Sequence, residues 1–158
     1  SEARADIARW KWGKLLLNLT NAVEAVCGSL SRGGELSKRV RREGVECLEA
    51  AGIEFVGNEE DRARRGDLLK VLPAKGTERG GGSSWQSLAR GAGSIESDYL
   101  NGEIVLLGRL HGFPTPLNAT LQRLASEGAR DLRSPGWMSE SEVLAAAGRL
   151  AEKQRPSL

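Results

Sequence analysis

Histidine is nearly missing from this chain: His111 is the only one among 158 residues. Cysteine occurs twice, as Cys27 and Cys47, and neither belongs to a CxxC pair. One imidazole and two isolated thiols cannot assemble a Cys/His zinc site. Thiols flanked by apolar residues suit a packing role in a reducing compartment. No apolar run approaches the roughly 20 residues that span a bilayer, and the N-terminus shows no signal-peptide core. The expectation is a cytoplasmic protein with no membrane partner. An excess of either charge is lacking too. The 23 basic and 21 acidic residues leave a formal net charge of +2, too small to argue for nucleic acid. The basic cluster Lys38, Arg39, Arg41 and Arg42 is interleaved with Glu35, Glu43 and Glu46, so it reads as a solvated helix face.

What is present is helical. At 39 % hydrophobic and 28 % charged, the chain can build the core of one globular domain. From about Ala3 to Leu30 the residues Ile7, Trp10, Leu15, Leu17, Leu19, Val23, Val26 and Leu30 recur at mixed three and four spacing. Gly28 interrupts this helix and Gly33-Gly34 ends it. A second helix is expected from Glu35 to Ala51, stopped by Gly52. Between about 52 and 82 the pattern weakens into the polar GNEEDRARRGD, the short apolar LLKVLP and the glycine-rich loop AKGTERGGGSS. Helical spacing resumes at Trp85 and is strong from Glu96 to Leu110, closed by His111-Gly112. Thr115 and Pro116 open another helix, and Ser139 with Glu142 forms a capping box for a last one. Alternating β patterns are almost absent, with IEFVG at 53–57 the single candidate strand. The fold class is all-α, a compact multi-helix bundle, and the tail after 130 adds little to this reading. The tryptophans at 10, 12, 85 and 137 are assigned to core packing.

Two polar constellations interrupt these helices. In KWGKLLLNLTNAVEA, residues 11–25, Lys14, Asn18 and Asn21 project from one narrow stripe, because a helix turns by about 100° per residue. Polar tips on an inward face must find hydrogen-bond partners. A lysine set against apolar neighbours suits acid–base work, and amides beside it can orient a carbonyl or carboxylate. The bland alternative is a lysine that reaches water and asparagines that bridge helices. The second constellation lies in GGSSWQSLARGAGSIESDYLNGEIVLLGRLHGFPTPLN. Ser84 can cap a helix or offer its hydroxyl to an anion. Glu96 and Asp98 sit where acidic residues favour a helix N-terminus. Asn101 and Gly102 are unusual inside a helix, and a close helix or ligand approach would explain Gly102 and Gly108. GAGSIE, residues 91–96, imitates a dinucleotide fingerprint but lacks its third glycine and a preceding strand.

Together these segments resemble the C-terminal domain of ketopantoate reductases (2-dehydropantoate 2-reductases), over about residues 6–127. The resemblance rests on Trp12, Lys14 and Asn18, then on Ser83-Ser84, Glu96 and DYLNGEIVLLGRLHGFPTPLN. It implies an all-α domain like those of 6-phosphogluconate dehydrogenase-like proteins, in which residues 1–158 form one helical substrate domain. The N-terminal Rossmann domain, which would bind most of the NADPH, is then absent from this chain. The implied reaction is reduction of ketopantoate to pantoate. Lys14 matches the general acid, Asn18 a substrate-binding amide, Ser84 the serine that holds the substrate carboxylate, and Glu96 an acidic residue on the cofactor side. Asn21 stands one residue before the family's next amide, a place Ala22 occupies. Ser87 and Ser97 also depart from the family pattern, which bears on the identity of the 2-oxo acid. The alternatives are a relative acting on another 2-oxo acid and a helical interaction module without catalysis. An uncovered inter-domain face could also pair two copies as a homodimer.

Overall fold

A computed structural model describes residues 6–65, 82–91 and 95–153. All regular structure among them is helical: α1 Ile7–Asn18, α2 Asn21–Cys27, a 3-10 turn at Ser29–Ser31, α3 Glu35–Ala50, α4 Asn58–Arg65, α5 Ser83–Ala89, α6 Ser97–His111, α7 Pro116–Arg130 and α8 Glu140–Lys153. The LLKVLP piece and most of the glycine-rich loop lie outside the described residues. No described helix is long and apolar enough to cross a membrane.

Helix α7 is the hub, packed against α2, α3, α5, α6 and α8. Helix α2 is the innermost, with every residue from Ala22 to Val26 buried. Around them Leu16, Leu36, Val40, Leu48, Ile104, Leu121 and Val143 close an apolar core. Trp12 and Trp137 pack on its edge, and Trp10 donates its indole N–H to Asp6 at 2.9 Å. Burial pushes the Cys27 thiol up to about 11, helped by the charges of Glu140 and Glu142. Burial, with Glu43 nearby, also raises Cys47. Both thiols are therefore poor nucleophiles at neutral pH, as packing residues should be.

Several ends follow from local chemistry. Gly52 and Gly112 take positive φ just past α3 and α6, the backbone turn that glycine makes without a Cβ clash. Ser139 and Glu142 form the reciprocal capping box: the Ser139 amide reaches Glu142 Oε2 at 2.7 Å, and the Glu142 amide reaches Ser139 Oγ at 3.3 Å.

Other features differ from the sequence expectation. The first helix divides at Leu19-Thr20, and the Leu19 carbonyl is met from α6 by the Asn101 amide at 3.2 Å. The polar stretch after Gly57 forms α4, whose first turn carries Glu59, Glu60 and Asp61 and so meets the positive end of its macrodipole. Segment 53–57 has no strand partner; the Val56 amide donates to the Arg9 carbonyl at 3.1 Å, strapping it across α1. Thr115 is the N-cap residue of α7 and Pro116 follows it in the first turn, as expected, but the Thr115 side chain makes no capping hydrogen bond. Buried Glu43 meets the free amides of that turn from α3, accepting from Leu117 and Asn118 at 3.0 and 2.8 Å. Glu43 thus leaves the solvated face on which its neighbours stand. The tail after 130 is structural: Gly136 and Met138 donate to the Ala25 and Val26 carbonyls at 3.0 and 3.2 Å. Glu140 accepts the Leu36 amide at 3.1 Å, satisfying a free donor at the start of α3.

Candidate functional site

The face of α1 opposite the core meets the start of α6 along an open cleft of about 440 Å³. Lys11, Lys14 and Asn18 line it from α1; Glu96 and Tyr99 line it from α6. Lys14 is exposed and Asn18 half-buried. Among the described residues no apolar groups wrap the lysine, and α1 buries only Gly13 and Leu16. Lys14 also borders a hollow of about 190 Å³ on its other side, formed with Trp10, Val56 and Asn58. Lys14 thus lines both depressions.

Asn21 begins α2, past the break, and its Nδ2 donates to Ser83 Oγ at 3.3 Å. The Ser83 hydroxyl donates in turn to Glu96 Oε2 at 3.0 Å. An amide, a hydroxyl and a carboxylate, brought by α2, α5 and the start of α6, thereby form one chain that reaches the cleft at Glu96. The short distance between α2 and α5 depends on residue 82. A Cβ there would lie 2.8 Å from Asn21 Oδ1, so a larger residue would make the Asn21 side chain shift. The same glycine donates its amide to Glu24 Oε2 at 2.7 Å. Glu24 is fully buried in α2, and its other oxygen faces Arg32 Nε at 3.3 Å. This carboxylate tethers the serine helix to the core.

Lys14, Asn18 and Glu96 therefore share a cleft, and Asn21 joins it through Ser83. Ser84 is placed differently: it is 1 % exposed, and its hydroxyl has no hydrogen-bond partner among the described residues. It does not cap α5, whose N-cap is Gly82. Ser83, Tyr99 and Glu24 are the site-shaping residues that sequence reasoning passed over. The Ser83-Ser84 pair held the signal for the first, but only helix phase tells which hydroxyl faces out. Gly102 lies against α7, where a Cβ would meet the Gln122 side chain at 2.8 Å, so helix packing accounts for it.

A larger hollow, about 700 Å³, lies at the other end of α6 between Arg39, Arg42, Arg109 and Phe113. It is lined by none of Lys14, Asn18, Asn21, Ser84 and Glu96, the candidate site residues read from the sequence. The smaller cleft is the better candidate because it gathers an ammonium, an amide and a carboxylate on one surface.

None of the curated proteins compared with this chain matches it. The family described as ketopantoate reductase PanE/ApbA C terminal matches residues 6–129. Among solved structures, a PanE/ApbA family ketopantoate reductase from Ralstonia eutropha JMP134 is similar, with 30 % identity and a TM-score of 0.56. That similarity covers 77 % of this chain and 41 % of the other, so this chain spans less than half of that protein's length. With the cleft on the same segments, the chain belongs to the ketopantoate reductase C-terminal domain family.

Proposed function

We propose that this chain is the substrate half of an NADPH-dependent 2-oxo acid reductase that converts ketopantoate to pantoate, a step of pantothenate biosynthesis. An N-terminal Rossmann domain of the same protein closes over the cleft. The observation that carries this reading is the convergence of Lys14, Asn18 and Glu96 on one open cleft.

The donor set fits a 2-oxo acid. Reduction of the ketone places negative charge on its oxygen, and an ammonium stabilises that charge and delivers a proton to it. Lys14, which lines the cleft, would do both. Bound NADPH supplies the hydride. Asn18 donates its amide N–H to the substrate carboxylate or carbonyl, fixing the angle at which the ketone meets the lysine. From the serine pair, Ser83 presents its hydroxyl to the cleft, and Asn21 holds that hydroxyl in place. Glu96 accepts from Ser83 and supplies the negative charge that orients the ammonium on the cofactor side. Docking of the second domain would exclude water and strengthen each of these interactions.

The test is NADPH oxidation by the full-length protein, presented with ketopantoate and a panel of other 2-oxo acids. Turnover that favours ketopantoate is the expected result. A folded protein that binds NADPH and reduces no 2-oxo acid would overturn the reading in favour of a non-catalytic helical module.

A further inference from the structure

Asn101 is fully buried, lies outside the cleft, and is used by none of the chemistry above. Its Nδ2 spends both hydrogens, one on the Leu19 carbonyl at 3.2 Å and one on Asn118 Oδ1 at 2.9 Å. Asn118, also fully buried, donates from Nδ2 to the Val40 carbonyl at 3.2 Å and to Glu43 Oε1 at 2.8 Å. The orientation of both amides is fixed by this accounting, since a flipped Asn101 would set oxygen against two oxygens. The cost is visible: Asn101 Oδ1 has no partner among the described residues.

Leu19 is the residue at which α1 gives way to α2, directly after Asn18 and two before Asn21. A helix broken there leaves a carbonyl that must be met from elsewhere. Asn101 meets it from α6, the helix that also carries Glu96 at its N-cap. We infer that Asn101 is a positioning residue. It pins the α1–α2 break to α6 so that Asn18 and Asn21, on either side of the break, face Glu96 across a fixed gap. The inference rests on the proposed reading of the cleft and adds a residue that touches no substrate.

The experiment compares the full-length protein with Asn101→Ala and Asn101→Leu; the second preserves most of the volume should the first pack poorly. Two readouts are taken, steady-state kinetics and site-resolved amide hydrogen exchange. The expected kinetic result is a rise of about tenfold or more in KM for the 2-oxo acid, with KM for NADPH within about twofold. A role in stability alone would lower the amount of active enzyme and leave the 2-oxo acid KM where it was. Unchanged KM in a folded variant therefore overturns the inference. The exchange result stands apart from activity: amides 19–24 should exchange about tenfold faster while those of α8 keep their protection. Uniform acceleration, or none, overturns the inference as well. If the parent reduces no 2-oxo acid, the proposed function fails, and the exchange pattern still decides whether Asn101 holds the break.

Discussion

Two polar networks cross this bundle, built from the same kinds of residue, and they end differently. In the interior, Glu43, Asn118 and Asn101 link α3, α7 and α6, and the chain itself supplies nearly every partner. At the cleft, Asn21, Ser83 and Glu96 form a similar chain, but Lys14 beside them is exposed and Asn18 half-buried. The inner network is finished when the helices pack. The outer one still has Lys14 exposed and Asn18 half-buried after the helices have packed. Residue type does not separate structure from function here; what separates them is whether the fold consumes the hydrogen-bonding capacity.

The comparison is broken most severely at Glu43. Replacing it with Ala leaves two helix amides and the Asn118 side chain without their acceptor, and should cost about 3 kcal/mol or more in a denaturant melt. Glu43→Gln should be milder and should also change the pH dependence. Burial raises the Glu43 carboxyl above its ordinary range, although the Asn118 and Leu117 amides pull the other way. The native state then holds this proton more tightly than the unfolded chain. Its contribution is greatest in acid and is lost as pH rises through the raised value. Melts of Glu43→Gln across that range should lack this loss.

At the outer network, Asn18→Ala should leave the melt close to wild type and raise KM for the 2-oxo acid by about tenfold to a hundredfold. A large fall in stability with KM unchanged would move Asn18 into the inner class. Two substitutions at the tail sharpen the scale. In Gly128→Ala the new Cβ would run into the Trp137 ring, so the ring must shift at a cost of about 1–2 kcal/mol. Ser139→Ala removes one half of the capping box and should cost about 1 kcal/mol, read as a small drop in midpoint.

The same division explains what could be read in advance. Helix α3, α6, α7 and the capping box of α8 declare themselves by apolar spacing, glycine stops and Ser139/Glu142, all local signals. The stripe of Lys14 and Asn18 is equally local, and it lies within the span 6–129 that the family matches. What escaped was non-local. Glu43 caps a helix more than seventy residues away in the chain, and nothing near it in sequence says so. Helix α4 has no apolar face to reveal its period, since acidic residues at its start favour it instead. The choice between Ser83 and Ser84 depends on the phase of a short helix fixed by Glu24 and Gly82.

The most direct test of the central claim is the turnover number of full-length Lys14→Ala on ketopantoate, measured beside its NADPH affinity. Loss of the proton donor should lower kcat by about a hundredfold to ten-thousandfold, with NADPH affinity and melting behaviour unchanged. A kcat equal to that of the parent would contradict the account, because the Lys14 ammonium would then have no part in the chemistry.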